Sequence, residues 1–365
     1  MEWWHVYVAG WAVTLALSAV ATGLCRSLAP RWGFVDKPLN EAHKRHQKVT
    51  PVLGGLGMLA AWLAALVGGL ALGPLAARAF GGPIAEVFAG VPARWRELGT
   101  IVGGATALTL VGMLDDRIAM RASRKFAAQF AIAAATAAMG IRITAGVPAA
   151  WLSWALTVFW IVGIINAVNF LDNMDGLAGG IAAIAAFFFL CTAAFRGQHF
   201  VAVLAAVTCG AACGFLAHNR PPAAIFMGDG GSHFLGYLLA VLGALTTYYL
   251  PHESPTPAPL LMPLLILGLP IFDAAAVVAL RLRQGRPIYV GDNTHISHRF
   301  AWLGLSRPRA VLLACLLSLT AGCGALTLLW LPPAGVLVVF VQMAATFAII
   351  SVIQFSSAEG RAKAC

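Results

Sequence analysis

Charged side chains are scarce in this chain. Asp, Glu, Lys and Arg make up 10% of its 365 residues, against about 25% in an ordinary soluble domain. That scarcity excludes a separate soluble domain of any size. Metal-thiolate chemistry is also missing: the seven cysteines form no Cys-x-x-Cys pair and no metal spacing,. Cys209 and Cys213 lie one helical turn apart in an apolar run and read as buried free thiols. No internal repeat is visible, which argues against an inverted-repeat transporter. The first apolar stretch, Val6 to Leu28, has no basic region before it and no small-x-small cleavage site, so it reads as an uncleaved helix,.

What is present is hydrophobic: 60% of the residues, with a mean hydropathy of +0.83. The composition predicts one transmembrane domain over residues 1–365, an all-α polytopic integral membrane protein. A spanning helix needs about 20 mainly apolar residues. Eleven segments qualify: 5–28, 51–73, 98–114, 126–141, 150–166, 177–195, 199–217, 232–250, 259–281, 309–331 and 333–354. Merging the last pair, split only by Pro332 and Pro333, gives ten.

Lys and Arg set the orientation. With sides alternating from a cytoplasmic segment after the first helix, nineteen of the 24 basic residues fall in the cytoplasm. Only Arg78, Arg94, Arg96, Arg142 and Arg196 fall outside. The N-terminus is then outside and the C-terminus cytoplasmic, in a multi-pass protein of the cell inner (plasma) membrane. The same rule accounts for the net charge of +10 without invoking nucleic acid.

Against this background the aspartates are conspicuous. Asp115, Asp116, Asp172, Asp175 and Asp229 sit at the ends of apolar segments, in three clusters: Leu114 to Arg117, Asn166 to Gly176, and Phe226 to Ser232. Carboxylates at membrane depth or at its edge are energetically costly and mark function by default. All three clusters, and Asp292, fall on the cytoplasmic side of an assignment made without them. Active-site loops are therefore expected near 30–50, 115–125, 166–176, 218–231 and 282–308, facing the cytoplasm.

Each cluster has its own logic. Asp115 and Asp116 are adjacent, so on a helix they point about 100° apart and share a site only at a helix end. The second cluster joins the fifth segment to the sixth. Its Asn166, Asn169 and Asp172 recur every three residues, and amide and carboxylate oxygens are hard donors suited to Mg²⁺. A helix cap by Asn173 or Asp175 would need one polar residue, and the run holds five. Gly176, Gly179 and Gly180 allow close backbone approach at an open helix start, a natural phosphate site. Asp229 stands in a glycine turn before the eighth segment. The last cytoplasmic stretch contains His295, His298 and Arg299, groups able to neutralise a diphosphate. A zinc site there lacks further Cys or His partners. Basic residues at His43, Lys44, Arg45, His46 and Lys48 precede the second segment. Asp273, inside the ninth, reads as a packed polar residue.

These motifs, in this order, resemble the polyprenyl-phosphate N-acetylhexosamine-1-phosphate transferase superfamily, glycosyltransferase family 4. The resemblance rests on HQKVTPVLGG (His46 to Gly55), LDDR (Leu114 to Arg117), KFAAQ (Lys125 to Gln129), NAVNFLDNMDGLAGG from Asn166, NRPPAAIFMGDGGS from Asn219, LPIFD (Leu269 to Asp273) and HISHR (His295 to Arg299). Within it the chain is most similar to bacterial undecaprenyl-phosphate N-acetylglucosamine-1-phosphate transferases. That branch more often has His-x-His-His in the last loop, so Ser297 departs from the pattern. The phospho-MurNAc-pentapeptide translocases, the alternative branch, have three consecutive histidines there.

The resemblance implies transfer of a sugar 1-phosphate, GlcNAc-1-phosphate first, from a UDP-N-acetylhexosamine to undecaprenyl phosphate. UMP is released and a lipid-linked cell-envelope glycan is begun. It implies Mg²⁺, with Mn²⁺ able to substitute, held by Asn169 and Asp229. Asp115 and Asp116 would position or deprotonate the lipid phosphate, and Asp172 and Asp175 would shape the nucleotide side. His295, His298 and Arg299 would meet the diphosphate and sugar. Lys48 and Lys125 would contact phosphates, and Asn166 and Asp175 would bind substrate. The expected partners are the two substrates and membrane lipids, with a homodimer left open and no nucleic acid. A different class, a cation-coupled transporter or lipid flippase, would place its acids at the midplane and not at one face.

Overall fold

The computed structural model describes residues 2–36, 49–144, 149–285, 287 and 295–362. Among them are thirteen α-helices: α1 (Trp3–Trp32), α2 (Gly54–Phe80), α3 (Gly82–Ile118), α4 (Ala122–Ala138), α5 (Ala150–Leu171), α6 (Leu177–Phe195), α7 (His199–Asn219), α8 (Gly228–Leu245), α9 (Met262–Ile266), α10 (Gly268–Arg283), α11 (Ile296–Trp302), α12 (Arg307–Thr327) and α13 (Pro333–Ala362). One antiparallel pair of two-residue strands, β1 (Val35–Asp36) and β2 (Thr50–Pro51), lies between α1 and α2. The chain is an all-α polytopic membrane protein.

Among the described residues, eight helices are long and apolar enough to cross a membrane: α1, α2, α3, α5, α6, α7, α12 and α13. The 3₁₀ turn Ala258–Leu261 with α9, followed by α10, makes a ninth if this pair, bent by 68°, counts as one span. Eleven spans were expected. The other two segments are helical but fall short of that standard. α4 has 17 residues and carries Arg124 and Lys125 in its first turn; α8 opens on Asp229, Ser232 and His233.

Several helix ends also lie further along the chain than hydropathy suggests. α5 runs past 166 to Leu171, because Ala167, Val168 and Leu171 continue its buried face. Within this helix Asn166 donates Nδ2–H to Val162 O, one turn back, at 2.8 Å. α3 extends to Ile118 and so holds Asp115 and Asp116 in its last turn. The expected loops at 115–125, 166–176 and 218–231 are therefore largely helix ends, joined by the short links 119–121, 172–176 and 220–227.

α8 is the centre of the bundle. Every residue from Gly230 to Gly243 is buried, because α2, α3, α5, α6 and α7 all pack around it. Such enclosure requires glycine where backbones cross. A Cβ on Gly55 would lie 2.6 Å from the Gly230 carbonyl carbon, and one on Gly236 would lie 2.7 Å from Ile165 Cα.

α1 and α7 lie parallel, with matching contacts from Tyr7 beside His199 to Ala19 beside His218. Gly210 and Gly214, four residues apart, form the small-xxx-small face that lets two helices touch where no water drives them together. A Cβ on Gly214 would come within 2.6 Å of Ser18 Cβ, and Ser18 Oγ donates to Ala211 O at 2.7 Å. Outward-facing Val8, Val13, Val20 and Leu24 of α1 are exposed in the isolated chain, with Trp4 and Trp32 near the two ends of the helix. This is the surface that lipid covers, with aromatic residues at both interfaces.

The alternating helices bring one set of ends together. Val52 N–H donates to Phe34 O (3.0 Å), Phe226 N–H to Pro51 O (2.9 Å) and Gly54 N–H to Phe226 O (3.0 Å). The ends of α1 and α7 and the starts of α2 and α8 are thereby tied at one face, where the site lies.

Gly214→Leu should separate α1 from α7 and destabilise the detergent-solubilised protein by about 1–3 kcal/mol, the usual effect of overpacking. Gly68→Ala, at a position with open space around it, should leave the melting temperature unchanged or slightly higher. Thermal unfolding of both variants checks this, and equal melting temperatures would remove the close crossing from the account.

Candidate active site

A cavity of about 770 Å³ opens where the helix ends converge, a volume suited to a small-molecule ligand. Its described walls carry five carboxylates, Asp36, Asp116, Asp172, Asp175 and Asp229. Asn169, Asn173, His298 and Arg307 also line it.

Asp229 is the hub. It sits in the first turn of α8, where its Oδ1 accepts from Asn169 Nδ2 at 2.6 Å and its Oδ2 accepts from Lys125 Nζ. The same ammonium lies 2.9 Å from Asp115 Oδ2. Lys125 thus stands between two carboxylates, one from α3 and one from α8, with 16% of its side chain exposed. The compensation is required, since two nearby carboxylates out of bulk water cannot both ionise cheaply without a cation.

Asn169 also donates Nδ2–H to Ser232 Oγ at 2.8 Å. With its N–H groups used inside the protein, its remaining polar atom is the carbonyl oxygen, a hard donor. Asp115 and Lys125 stand behind Asp229, outside the cavity lining.

Asp116 has a different role from its neighbour, as expected for adjacent residues on a helix. Its Oδ1 accepts from Asp229 N–H at 2.8 Å and its Oδ2 from Gly230 N–H at 3.2 Å. It therefore caps α8 from α3, placing a negative charge at the positive end of the helix dipole. Gly112, one turn back on α3, leaves room for the Asp229 backbone. Asp115 Oδ1 instead accepts from Met120 N–H at 2.7 Å, which ends α3.

The 172–176 link is fixed from α7 and the segment after it. Asn219 Oδ1 accepts from Gly176 N–H at 2.8 Å, and Asp175 Oδ2 accepts from Ala223 N–H at 2.9 Å. The N-cap of α6 is Gly176 in the left-handed region, φ 79°. Neither Asn173 nor Asp175 caps this helix.

Asp172, just past α5 and half-buried, has its carboxyl pushed up to about 8. Burial is the main cause, followed by the like charges of Asp229, Asp116 and Asp175. Its place at a helix C-terminus works in the same direction.

Beneath the first layer lies a second. Gln129 is one turn after Lys125 on α4, His233 one turn after Asp229 on α8, and Asn166 one turn before Asn169 on α5. Asn166 Nδ2 donates to Gln129 Oε1 at 2.7 Å, and Gln129 Nε2 lies 3.1 Å from His233 Nε2. Asn166, expected to bind substrate, does not line the cavity but joins this deeper layer. Sequence reading gave Gln129 and His233 no role. Their signal was the four-residue offset from Lys125 and Asp229.

The run His295 to Arg299 divides in two. His298 lines the cavity. His295, Ser297 and Arg299 are buried and do not line it. His295 Nδ1 lies 2.7 Å from Asp273 Oδ2, and Ile296 N–H donates to Asp273 Oδ1 at 2.7 Å. Asp273 is thus a packed polar residue, and its partner is a histidine expected at the substrate. His295 also meets the Phe170 ring edge-on at 5.7 Å, and the Arg281 guanidinium lies 5.4 Å from the same ring. Arg307, at the start of α12, joins the lining without having been singled out in the sequence. Lys48, His43, Lys44, Arg45, His46 and Asp292 lie outside the described residues.

Among the described residues, no group of three or more His, Cys, Asp or Glu side chains is arranged to hold a metal. Asp229 and the Asn169 oxygen are adjacent hard donors at the cavity, among its other carboxylates. This fits Mg²⁺, which keeps several waters and binds through one or two protein groups plus substrate phosphates.

Comparison with known proteins bears on what such a site does. A family model described as Glycosyl transferase family 4 matches residues 98–247. A probable undecaprenyl-phosphate N-acetylglucosaminyl 1-phosphate transferase of Bacillus subtilis is 32% identical over 352 residues, covering 93% of this chain and 91% of its own. A decaprenyl-phosphate N-acetylglucosaminephosphotransferase of Mycobacterium tuberculosis is 30% identical over 318 residues, 80% of this chain and 75% of that one. A phospho-N-acetylmuramoyl-pentapeptide-transferase of Geobacillus kaustophilus is 34% identical over 256 residues, 64% of this chain and 74% of that one.

The raised Asp172 carboxyl carries a stability consequence. The folded chain keeps a proton there that the unfolded chain loses near pH 4, so this group's contribution to stability falls as pH rises from about 4 to about 8,. In chelator, Asp172→Asn should therefore melt higher than the parent at pH 8 and close to it at pH 4. A variant that melts lower at pH 8 would show that the carboxylate is needed in its charged form.

Proposed function

The chain belongs to glycosyl transferase family 4, and on that premise we propose that it transfers GlcNAc-1-phosphate from UDP-GlcNAc to undecaprenyl phosphate. UMP is released and a lipid-linked cell-envelope glycan is initiated. The observation that carries this reading is the convergence of Asp229, Asn169, Lys125 and Asp115 beside an open cavity at one end of an apolar bundle. A transferase joining a lipid phosphate to a nucleotide sugar needs such a site at a membrane face. The extensive similarity to the Bacillus subtilis transferase supports GlcNAc as the sugar. The pentapeptide-transferase alternative is disfavoured because this chain has His295-Ile296-Ser297-His298 where that branch carries three consecutive histidines.

The reaction is a phosphoryl transfer. An oxygen of the lipid phosphate forms a bond to the β-phosphorus of the donor. The bond from that phosphorus to the bridging oxygen breaks, and the bridging oxygen keeps the electron pair as UMP departs. Asn169 and Asp229 would hold Mg²⁺, which would screen the phosphates from one another and support charge on the leaving group. Mn²⁺ would substitute for it.

Lys125 and Asp115, which stand behind Asp229, position the lipid phosphate indirectly by fixing the Asp229 carboxylate from the α3–α4 side. A phosphate monoester is already largely dianionic at neutral pH, its second pKa being near 6. Asp115 therefore serves by positioning, and no general base is required. Asp116 holds the start of α8 and so the direction of Asp229. Asp172 and Asp175 shape the nucleotide side, with His298 and Arg307 facing the diphosphate and sugar.

We read α4, α8 and the bent α9–α10 pair as spans, giving eleven with the N-terminus outside. The cavity then faces the cytoplasm at the inner membrane. The nineteen-to-five bias of basic residues supports this orientation. Cysteines introduced at 119–121 should be labelled from the cytoplasm only, and labelling from outside would overturn the orientation.

Purified protein with undecaprenyl phosphate, Mg²⁺ and a panel of UDP-sugars should form a lipid product with the mass of the GlcNAc adduct. It should also exchange labelled UMP into UDP-GlcNAc, and EDTA should abolish both. Asp229→Asn should lower turnover by on the order of 10² or more, as loss of transition-state charge stabilisation usually does. A folded protein that exchanges no UMP but moves lipid or cations would be a flippase or transporter.

A further inference from the structure

Helix α11 has seven residues, too short to keep its place by its own hydrogen bonds. It carries His298, the one residue of the His295–Arg299 run that lines the cavity. Its position must therefore come from its attachments. One is Asp273 of α10, which accepts from the Ile296 N–H and meets His295. Another is Ser297, whose Oγ donates to Asn173 Oδ1 at 2.6 Å. Ser297 is fully buried, at 0% exposure. The Asn173 amide is itself set, because its Nδ2 donates to Phe170 O at 2.7 Å.

These two attachments are not equivalent. Asp273 ties α11 to another helix, whereas Asn173 lies in the 172–176 link between Asp172 and Asp175, on the cavity wall. Neighbouring side chains on a helix point about 100° apart. Holding Ser297 inward against Asn173 therefore fixes the direction of His298. The enclosed space at Ser297 suits a hydroxyl bonded to an amide oxygen.

We propose that Ser297 and Asn173 are a positioning pair for His298, clamping α11 to the 172–176 link and thereby setting the site's affinity for the diphosphate of the nucleotide sugar. This rests on the function proposed above and adds to it a residue pair acting on the donor and not on the lipid acceptor. Neither residue takes part in bond making.

The test is equilibrium binding of UDP-GlcNAc, and of UDP alone, to the purified full chain, alongside steady-state kinetics with both substrates. Ser297→Ala should weaken UDP-GlcNAc and UDP binding about five- to tenfold, the effect of losing one buried hydrogen bond. KM for UDP-GlcNAc should rise by the same factor, with KM for undecaprenyl phosphate unchanged and the melting temperature lowered by only a few degrees, as loss of one buried hydrogen bond would do. In a His298→Ala background, Ser297→Ala should cost less than about twofold more, since residues acting through one another are not additive. Asn173→Ala combined with Ser297→Ala should likewise be no worse than Asn173→Ala alone.

Full additivity of Ser297→Ala with His298→Ala would overturn the pairing. So would equal rises in both KM values, or binding by Ser297→Ala equal to that of the parent. A parent protein that binds neither UDP-GlcNAc nor UDP would instead overturn the nucleotide-sugar reading, and the inference with it.

Discussion

The arrangement depends on one electrostatic constraint: carboxylates gathered at the end of an apolar bundle must be compensated where water is limited. Lys125 meets that requirement by standing between Asp115 and Asp229. The start of α8 contributes as well, because its free N–H groups hold Asp116. Removing one partner from such a set leaves an uncompensated charge, a strongly destabilising change. That is why α3, α4 and α8 end or begin at the same level, and why Asp229 points where it does.

α8 can hold this position only because it is enclosed. Bulky Phe234 and Tyr237 pack against its neighbours, and glycines at the crossings with α2, α3 and α5 set its depth. The polar layer one turn deeper, Gln129, Asn166 and His233, joins α4, α5 and α8 below the site. Each deeper residue shares a helix with a site residue. The rotation of each helix, and so the aim of Lys125, Asn169 and Asp229, is therefore held twice. Stiffness of this kind suits a reaction that gains most from orienting two anions towards each other.

The opposite wall is built differently. His298 is presented by a short helix tied to Asp273 and Asn173, and Arg307 by the first turn of α12. The division matches the chemistry proposed: one wall for the transferred phosphate and the other for the sugar nucleotide.

Much of this was legible in one dimension. Scarce charge and long apolar runs determined a polytopic helical membrane protein, because lipid admits only structures that satisfy their own backbone. The three aspartate clusters marked the site, because a carboxylate in that setting needs a reason. Pairing was not legible. Hydropathy placed the end of α5 at 166, since Asn169 and Asp172 read as polar, whereas packing carries the helix to Leu171. His295 and Arg299 looked like substrate contacts, and Asp273 like an unrelated buried acid. Only the approach of α10 to α11 joined Asp273 to His295. Gln129 and His233 carried no signal beyond a four-residue offset, because their function lies in which helices meet. Residue types and their order determined the class of chemistry by themselves. The tertiary structure decided which of two adjacent aspartates caps a helix, which histidine faces the cavity and which lysine balances the charge, because those outcomes depend on contacts between segments far apart in the chain.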